Sequence, residues 1–270
     1  MVTVTQTPEL IPSSHSQPLL SEDDLVLGDY LERQVVARKA AEEEAARVFI
    51  AEYTRRMNAP VFPQFSNAGE FFAYIIDQGT KRMRLEEDKE FTLNQFSLYE
   101  YQQLASYFMQ DRATFGCKLD FRKGLLVFGA YGVGKSWMMR LFANNPRQSY
   151  RVVSARFIAE DFRLNGTIYQ YQHVFLNDSS GKFFGQREIG LCIDEAGAES
   201  ERASYGNRSN VIAELIQDRY ENRQLRGTMT HIVTNHTRDE LKNAYGPRVY
   251  DRLRQMFNVI EFDPDAPSRR

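Results

Sequence analysis

The chain has 270 residues, 42% of them hydrophobic and 26% charged, which suits one core of ordinary size plus a smaller appendage. Its formal net charge of −2 excludes a generally basic surface, so any nucleic-acid contact must be local. No apolar run approaches the ~18 residues of a membrane span, and the N-terminus lacks the basic start and apolar core of a secretory signal, so a cytoplasmic protein is expected.

Residues 1–24 are rich in Thr, Ser, Pro and Gln and poor in large apolar groups, a composition expected to stay disordered. From Leu25 to Asn58 the pattern turns helical. Leu27, Leu31, Val35, Val48 and Tyr53 punctuate a charged, Ala-rich background, and Pro60 and Pro63 end it. Such a helix either binds a partner or itself, or is solvated with one apolar stripe, and the pattern favours neither. A second helix is expected from Asn67, with Glu70 placed for a capping box. A third is expected from Ser97, with Glu100 in the same relation. Residues 25–95 thus form a helical N-terminal region, and the main domain is expected over 96–265, followed by a tail at 266–270.

After Arg122-Lys123 the texture changes. Gly124–Phe128, Tyr150–Val153, Ile189–Ile193, His231–Thr234 and Val259–Phe262 are strand candidates with helical segments between them. Strands alternating with helices predict an α/β fold, a parallel sheet covered on both faces. Cys192 lies inside one of these apolar runs and is expected to be a buried thiol. With Cys117 far away, neither a disulfide framework nor a metal spacing is indicated.

The first strand candidate runs into Gly129-Ala130-Tyr131-Gly132-Val133-Gly134-Lys135-Ser136, followed by Trp137 and an apolar helical pattern. This fits the phosphate-binding loop, G-x-x-x-x-G-K-S/T, at every fixed position and in strand–loop–helix context. Glycines let backbone N–H groups turn inward around phosphates. Lys135 is placed for the β- and γ-phosphates of ATP, and the Ser136 hydroxyl for Mg²⁺. Leu191-Cys192-Ile193-Asp194-Glu195 supplies an acidic pair at a strand end. Asp194 suits the metal shell, and Glu195 suits activation of the attacking water. Gly190 inside that strand is unusual. At the end of the fourth candidate, Asn235 is either a polar sensor beside the γ-phosphate or the N-cap of the next helix.

These blocks, together with Arg219-Tyr220-Glu221-Asn222-Arg223 and Tyr245-Gly246-Pro247-Arg248-Val249-Tyr250-Asp251-Arg252-Leu253, resemble the AAA+ ATPases of the DnaC-type helicase loaders and the related IstB-type transposition helpers. The resemblance covers Gly124 to Phe262. It implies a P-loop NTPase of AAA+ type without a full C-terminal lid, since little chain follows the arginine block. It also implies ATP hydrolysis with Mg²⁺, assembly into a homo-oligomer, and an arginine finger reaching the ATP of a neighbouring subunit. Arg252 matches that finger and Arg248 is the second choice. The bland reading of Arg252 is an ion pair with Asp251 or Asp239. The partners implied are a replicative helicase and single-stranded DNA, or for the transposition helpers a transposase and duplex DNA. A nucleotide-gated binding module with slow hydrolysis is the third reading. The stretch Asn165–Arg187 carries Tyr169, Tyr171, His173, Phe175, Lys182, Phe183 and Phe184, suited to stacking on single-stranded DNA or to core packing around an extra helix.

Overall fold

The apolar runs become the strands of one sheet. In the structure, a computed structural model that describes residues 22–57, 62–176, 182–199 and 210–268, these are β1 (Gly124–Phe128), β2 (Tyr150–Ser154), β3 (Val174–Phe175), β4 (Glu188–Asp194), β5 (Thr230–Val233) and β6 (Phe257–Glu261). The helices are α1 (Glu22–Met57), α2 (Ala68–Glu87), α3 (Leu98–Met109), α4 (Lys135–Leu141), α5 (Ala155–Asn165), α6 (Tyr169–Gln172), α7 (Val211–Arg226) and α8 (Arg238–Met256). Five strands run parallel in the order β2-β4-β5-β1-β6. β3 pairs antiparallel with the start of β4. It is absent from the strands expected above because two residues carry no periodicity.

A strand sends alternate side chains to opposite faces, and here the alternation builds two cores. In β1, Leu126 and Phe128 enter one core, and Leu125 and Val127 the other. In β4, Ile189, Leu191 and Ile193 join the first, and Cys192 the second. Ile158 of α5, Leu215 and Ile216 of α7, and Leu241, Val249 and Leu253 of α8 close the first. Phe71 and Ile75 of α2, Leu104 and Phe108 of α3, and Met138 and Leu141 of α4 close the second. This is the expected parallel sheet between helical layers. The chain divides into units 1–59 and 60–270. The division falls ahead of the boundary expected near residue 96, because α2 and α3 share a core with β1. In the first unit α1 is a single helix of 36 residues. The disorder expected for 1–24 falls outside the described residues up to residue 21, and Glu22 begins α1.

The helix starts differ from the expected capping boxes in their details. Asn67 Oδ1 accepts from Glu70 N at 3.0 Å, but the Glu70 carboxylate accepts from Ser66 N, one residue early, at 2.7 Å. Ser97, at φ −136° and ψ −11°, lacks the extended backbone of an N-cap and makes no side-chain cap bond, while its hydroxyl donates to Asn94 Oδ1 at 3.2 Å. Cys117 and Cys192 are both buried free thiols, and burial pushes the Cys192 pKa well up.

Backbone proximity explains the glycine inside β4. A Cβ on Gly190 would stand 2.6 Å from the Met229 carbonyl oxygen, and one on Gly124 would stand 1.8 Å from that of Thr230. The turn leading into β5 lies against the starts of its two neighbours, and only glycine leaves room for it. Arg219 of α7 fixes the same turn. It is buried and donates to Thr230 Oγ1 at 2.6 Å, Met229 O at 3.0 Å, Tyr171 O at 2.8 Å and Gln172 O at 2.9 Å. Burial lowers its pKa to about 10, so it stays charged at neutral pH.

The 165–187 stretch splits its aromatic residues. Tyr171 is buried and its hydroxyl donates to Asp161 Oδ2 at 2.5 Å; Phe183 packs on the first core; and Phe184 stacks on Phe62, with ring centroids 5.5 Å apart. Tyr169 and Phe175 face solvent, 67% and 56% exposed. Core packing therefore accounts for part of the set only.

His231 lies in the middle of the sheet, fully buried against Tyr107, Phe108 and Tyr150. Its Nδ1 accepts from the Leu125 backbone N–H at 3.2 Å, so the proton of the neutral ring belongs on Nε2. Protonating Nδ1 would set two donors against each other. Burial first, then the positive charges of Arg147 and Arg219, lower its pKa from 6.5 to about 3. A depressed histidine pKa means that the unfolded chain binds the extra proton between those values. The stability linked to His231 is therefore complete above pH 6.5 and lost as pH falls toward 3, by up to about 1.4 kcal/mol per unit. Urea unfolding at pH 7, 6 and 5 should show a steeper loss for the wild type than for His231→Phe, though the variant starts lower because Leu125 N–H loses its acceptor.

Candidate functional site

In a parallel sheet all C-terminal strand ends lie on one edge, and loops carrying chemistry gather there. The loop after β1 makes its turn with glycines in conformations that other residues rarely adopt: Gly129 at φ +149°, Gly132 at +82° and Gly134 at +101°. Gly134 caps α4, which begins at Lys135. Val133 is buried and anchors the loop in the second core, while Ala130 and Tyr131 are exposed, Tyr131 by 67%. Trp137 is half-buried beneath the guanidinium of Arg82, whose Cζ lies 5.4 Å from the ring centroid.

Lys135 is only 4% exposed. Its ammonium donates to Gly129 O at 2.8 Å, to Ala130 O at 2.7 Å and to Asn235 Oδ1 at 2.6 Å. The phosphate-loop lysine and the polar residue after β5 therefore meet. This also separates the two readings of Asn235. The N-cap of α8 is Thr237, in a full capping box with Glu240. Asn235 is free of that task and turned toward the loop.

β4 brings in the acidic pair. Asp194 is 3% exposed, and its Oδ1 accepts from the Ser136 hydroxyl at 2.7 Å and from Glu195 N at 3.0 Å. A hydroxyl and a carboxylate converging in this way are the oxygen donors that Mg²⁺ takes alongside phosphate and water. Glu195 follows with φ +56°, a left-handed backbone that costs a non-glycine residue about 1–2 kcal/mol. The turn it opens is tied to β5: Ala196 N donates to Val233 O at 2.9 Å, and the Thr234 hydroxyl to Ala196 O at 2.7 Å. Glu199 closes it by accepting from Gly197 N at 2.8 Å and from the buried Tyr245 hydroxyl at 2.7 Å. Burial raises the Tyr245 pKa well above 10, so it remains a donor.

Arg140, Thr234, His236, Glu199 and Tyr245 are site neighbours that sequence reasoning passes over. Arg140 Nη2 stands 3.4 Å from Asp194 Oδ2. Its signal was available, since it lies four residues after Ser136 on α4 and so on the same helix face. The roles of the others depend on which elements meet, since Glu199 follows β4, Thr234 and His236 follow β5, and Tyr245 stands on α8.

Arg248 and Arg252 sit apart from this cluster, on the second half of α8. Gly246, with φ +81° and ψ 162°, breaks the helix, and Pro247 restarts it. Arg248 is exposed. Arg252 Cζ lies 4.1 Å from the centroid of the Tyr220 ring. Among the described residues neither arginine forms an ion pair, so the pairing of Arg252 with Asp251 or Asp239 is not what the fold makes. Asp251 accepts instead from Gln255 Nε2 at 2.9 Å.

Together the fold and the edge cluster have the build of a P-loop core, a glycine-rich loop closing on a strand-end carboxylate. No protein-family model and no curated protein matches the chain. Among solved structures it is similar to a putative primosome component from Streptococcus pyogenes serotype M3, at 17% identity and TM-score 0.43 over 66% of this chain and 84% of that one. It is similar to AMPPCP-bound DnaA from Aquifex aeolicus, at 12% identity and TM-score 0.45 over 66% of this chain, which spans 50% of DnaA. It is also similar to the DnaC helicase loader, at 16% identity and TM-score 0.43 over 65% of this chain and 95% of that one. Among the described residues no helix is long and apolar enough to cross a membrane.

The tightest packing in the site gives a test of its rigidity. Gly197 has φ +96°, and a Cβ there would lie 2.7 Å from the His236 ring. Gly197→Ala is expected to cost about 1–3 kcal/mol, from overpacking together with the left-handed backbone. Chemical denaturation would read the loss.

Proposed function

We propose that this protein is an AAA+ ATPase that binds ATP with Mg²⁺, hydrolyses it, and acts as a DnaC-like loader or adaptor on a replicative helicase and single-stranded DNA. The observation that carries the ATPase reading is the convergence of Lys135, Ser136, Asp194 and Asn235 on one sheet edge. In this reading the N–H groups of residues 129–136 and the Lys135 ammonium bind the phosphates. Ser136 and Asp194 hold the metal, which supplies charge neutralisation at the phosphoryl group. Glu195 takes a proton from the attacking water, and Asn235 positions the γ-phosphate. Arg252 of a second copy approaches the same phosphate from outside, with Arg248 as its alternate.

The partner side of the proposal rests on surfaces. Tyr169 and Phe175 are exposed aromatic rings of the kind on which single-stranded bases stack. On α1, Val36, Phe49 and Ile50 are 66%, 69% and 62% exposed, which supports partner binding or self-association by this helix.

Lys135→Ala is expected to abolish tight ATP binding, because it removes the charge facing the phosphates. Titration with a fluorescent ATP analogue checks this, and unchanged affinity in a folded variant removes Lys135 from the site. Glu195→Gln keeps the metal and phosphate contacts but loses the base. ATP should therefore bind and persist, and wild-type turnover would strip Glu195 of that role.

Arg252→Ala is expected to leave ATP affinity nearly intact while depressing hydrolysis by the assembly, on the order of 10³-fold for a full finger effect. Mixing it with Lys135→Ala should rebuild active sites from two defective halves. Partial recovery of ATPase activity is the expected result. No recovery, at concentrations where the wild type assembles, would count against a trans-acting Arg252.

A further inference from the structure

The second half of α8 is oriented by side-chain contacts, because the break at Gly246 and Pro247 uncouples it from the first half. Tyr220 of α7 supplies two of these contacts. Its hydroxyl donates to Gln255 Oε1 at 2.7 Å, and its ring lies under Arg252. Gln255 in turn donates to Asp251 Oδ2, which engages the carboxylate adjacent to Arg252 in sequence. The guanidinium is thus held by an aromatic face rather than by an anion. A cation over a ring keeps its full charge, and the N–H donors at its edge remain available to an oxyanion. An arginine already bound to a carboxylate would have to break that pair first. A long arginine with no support would lose rotamer freedom on meeting a ligand.

We infer that Tyr220 is a positioning residue, which presents the Arg252 guanidinium to a phosphate group outside its own subunit, carried by the nucleotide of a second copy of this chain. The inference rests on the trans-arginine reading above. Tyr220 acts only through Arg252 and touches no nucleotide itself.

The test uses the full chain and compares wild type, Tyr220→Phe, Tyr220→Leu, Arg252→Ala and the Tyr220→Leu/Arg252→Ala double variant. Steady-state ATP hydrolysis is measured alongside equilibrium binding of a fluorescent ATP analogue. Tyr220→Leu is expected to lower kcat about tenfold, the size of a lost cation–π contact, with KM and analogue affinity nearly unchanged. Tyr220→Phe keeps the ring and should retain most of the rate. In the Arg252→Ala background, Tyr220→Leu should add nothing, because the group it positions is gone. If Tyr220→Leu fails to fold, Tyr220→Met takes its place under the same criteria. Should Arg252→Ala hydrolyse ATP at the wild-type rate, the trans-arginine reading falls and the role of Tyr220 falls with it. Should Arg252→Ala be impaired while Tyr220→Leu is not, or should the double variant drop below Arg252→Ala, the role of Tyr220 alone is overturned.

Discussion

Burial of β1 on both faces is the constraint from which the rest of the molecule follows. All five of its residues are buried, flanked by β5 on one side and β6 on the other. Such a strand has no side chain to spare for chemistry, and its backbone groups are committed to ladders. Polar function can enter only where the strand ends. The same holds for β4, buried from Ile189 to Asp194, and for β5, buried throughout. Three buried strands ending on one edge thus place Lys135, Asp194 and Asn235 together. None of these residues needs a long loop to reach the others.

The two cores divide the labour. The second joins α2, α3 and α4 to the sheet and supports the loop after β1 through Val133. The first joins α5, α7 and α8 and carries the segment bearing Arg252. The phosphate loop and the two arginines of α8 are thereby built on opposite faces of one sheet. Arg219 ties α7 to the sheet and to α6 at the far edge, where it satisfies four oxygen acceptors at the start of β5 and around α6. Its charge is dispersed over neutral acceptors, and the well-satisfied hydrogen bonds offset its desolvation.

What could be read from the residues is what repeats or keeps fixed spacing. The five parallel strands were visible as apolar runs, and the loop Gly129–Ser136 as a motif with strand and helix in register. The left-handed turn at Glu195 could not be foreseen, since it depends on the ties between Ala196, Val233 and Thr234 across two strands. Gly190 looked like a weakness in β4 because the Met229 carbonyl that excludes a side chain there lies about 40 residues away along the chain. The division at residues 59 and 60 was hidden for a similar reason. Helices α1, α2 and α3 follow one another with no strand between them, and tertiary packing shows that α2 and α3 share the core with β1. Asn235 illustrates the opposite case. Its two readings were hard to separate by sequence, and Thr237 proved to own the helix cap.

The backbone at Glu195 has an evolutionary side. Holding a glutamate in a left-handed conformation makes the position an energetic liability. Asparagine or glycine would sit there more comfortably. Drift at this codon therefore runs downhill toward a sturdier protein unless the carboxylate is needed. In a lineage that had no use for the carboxylate, this would be among the first positions to relax. A descendant with asparagine at 195 and an intact Lys135 would record a molecule that had shed this strain while keeping the loop motif.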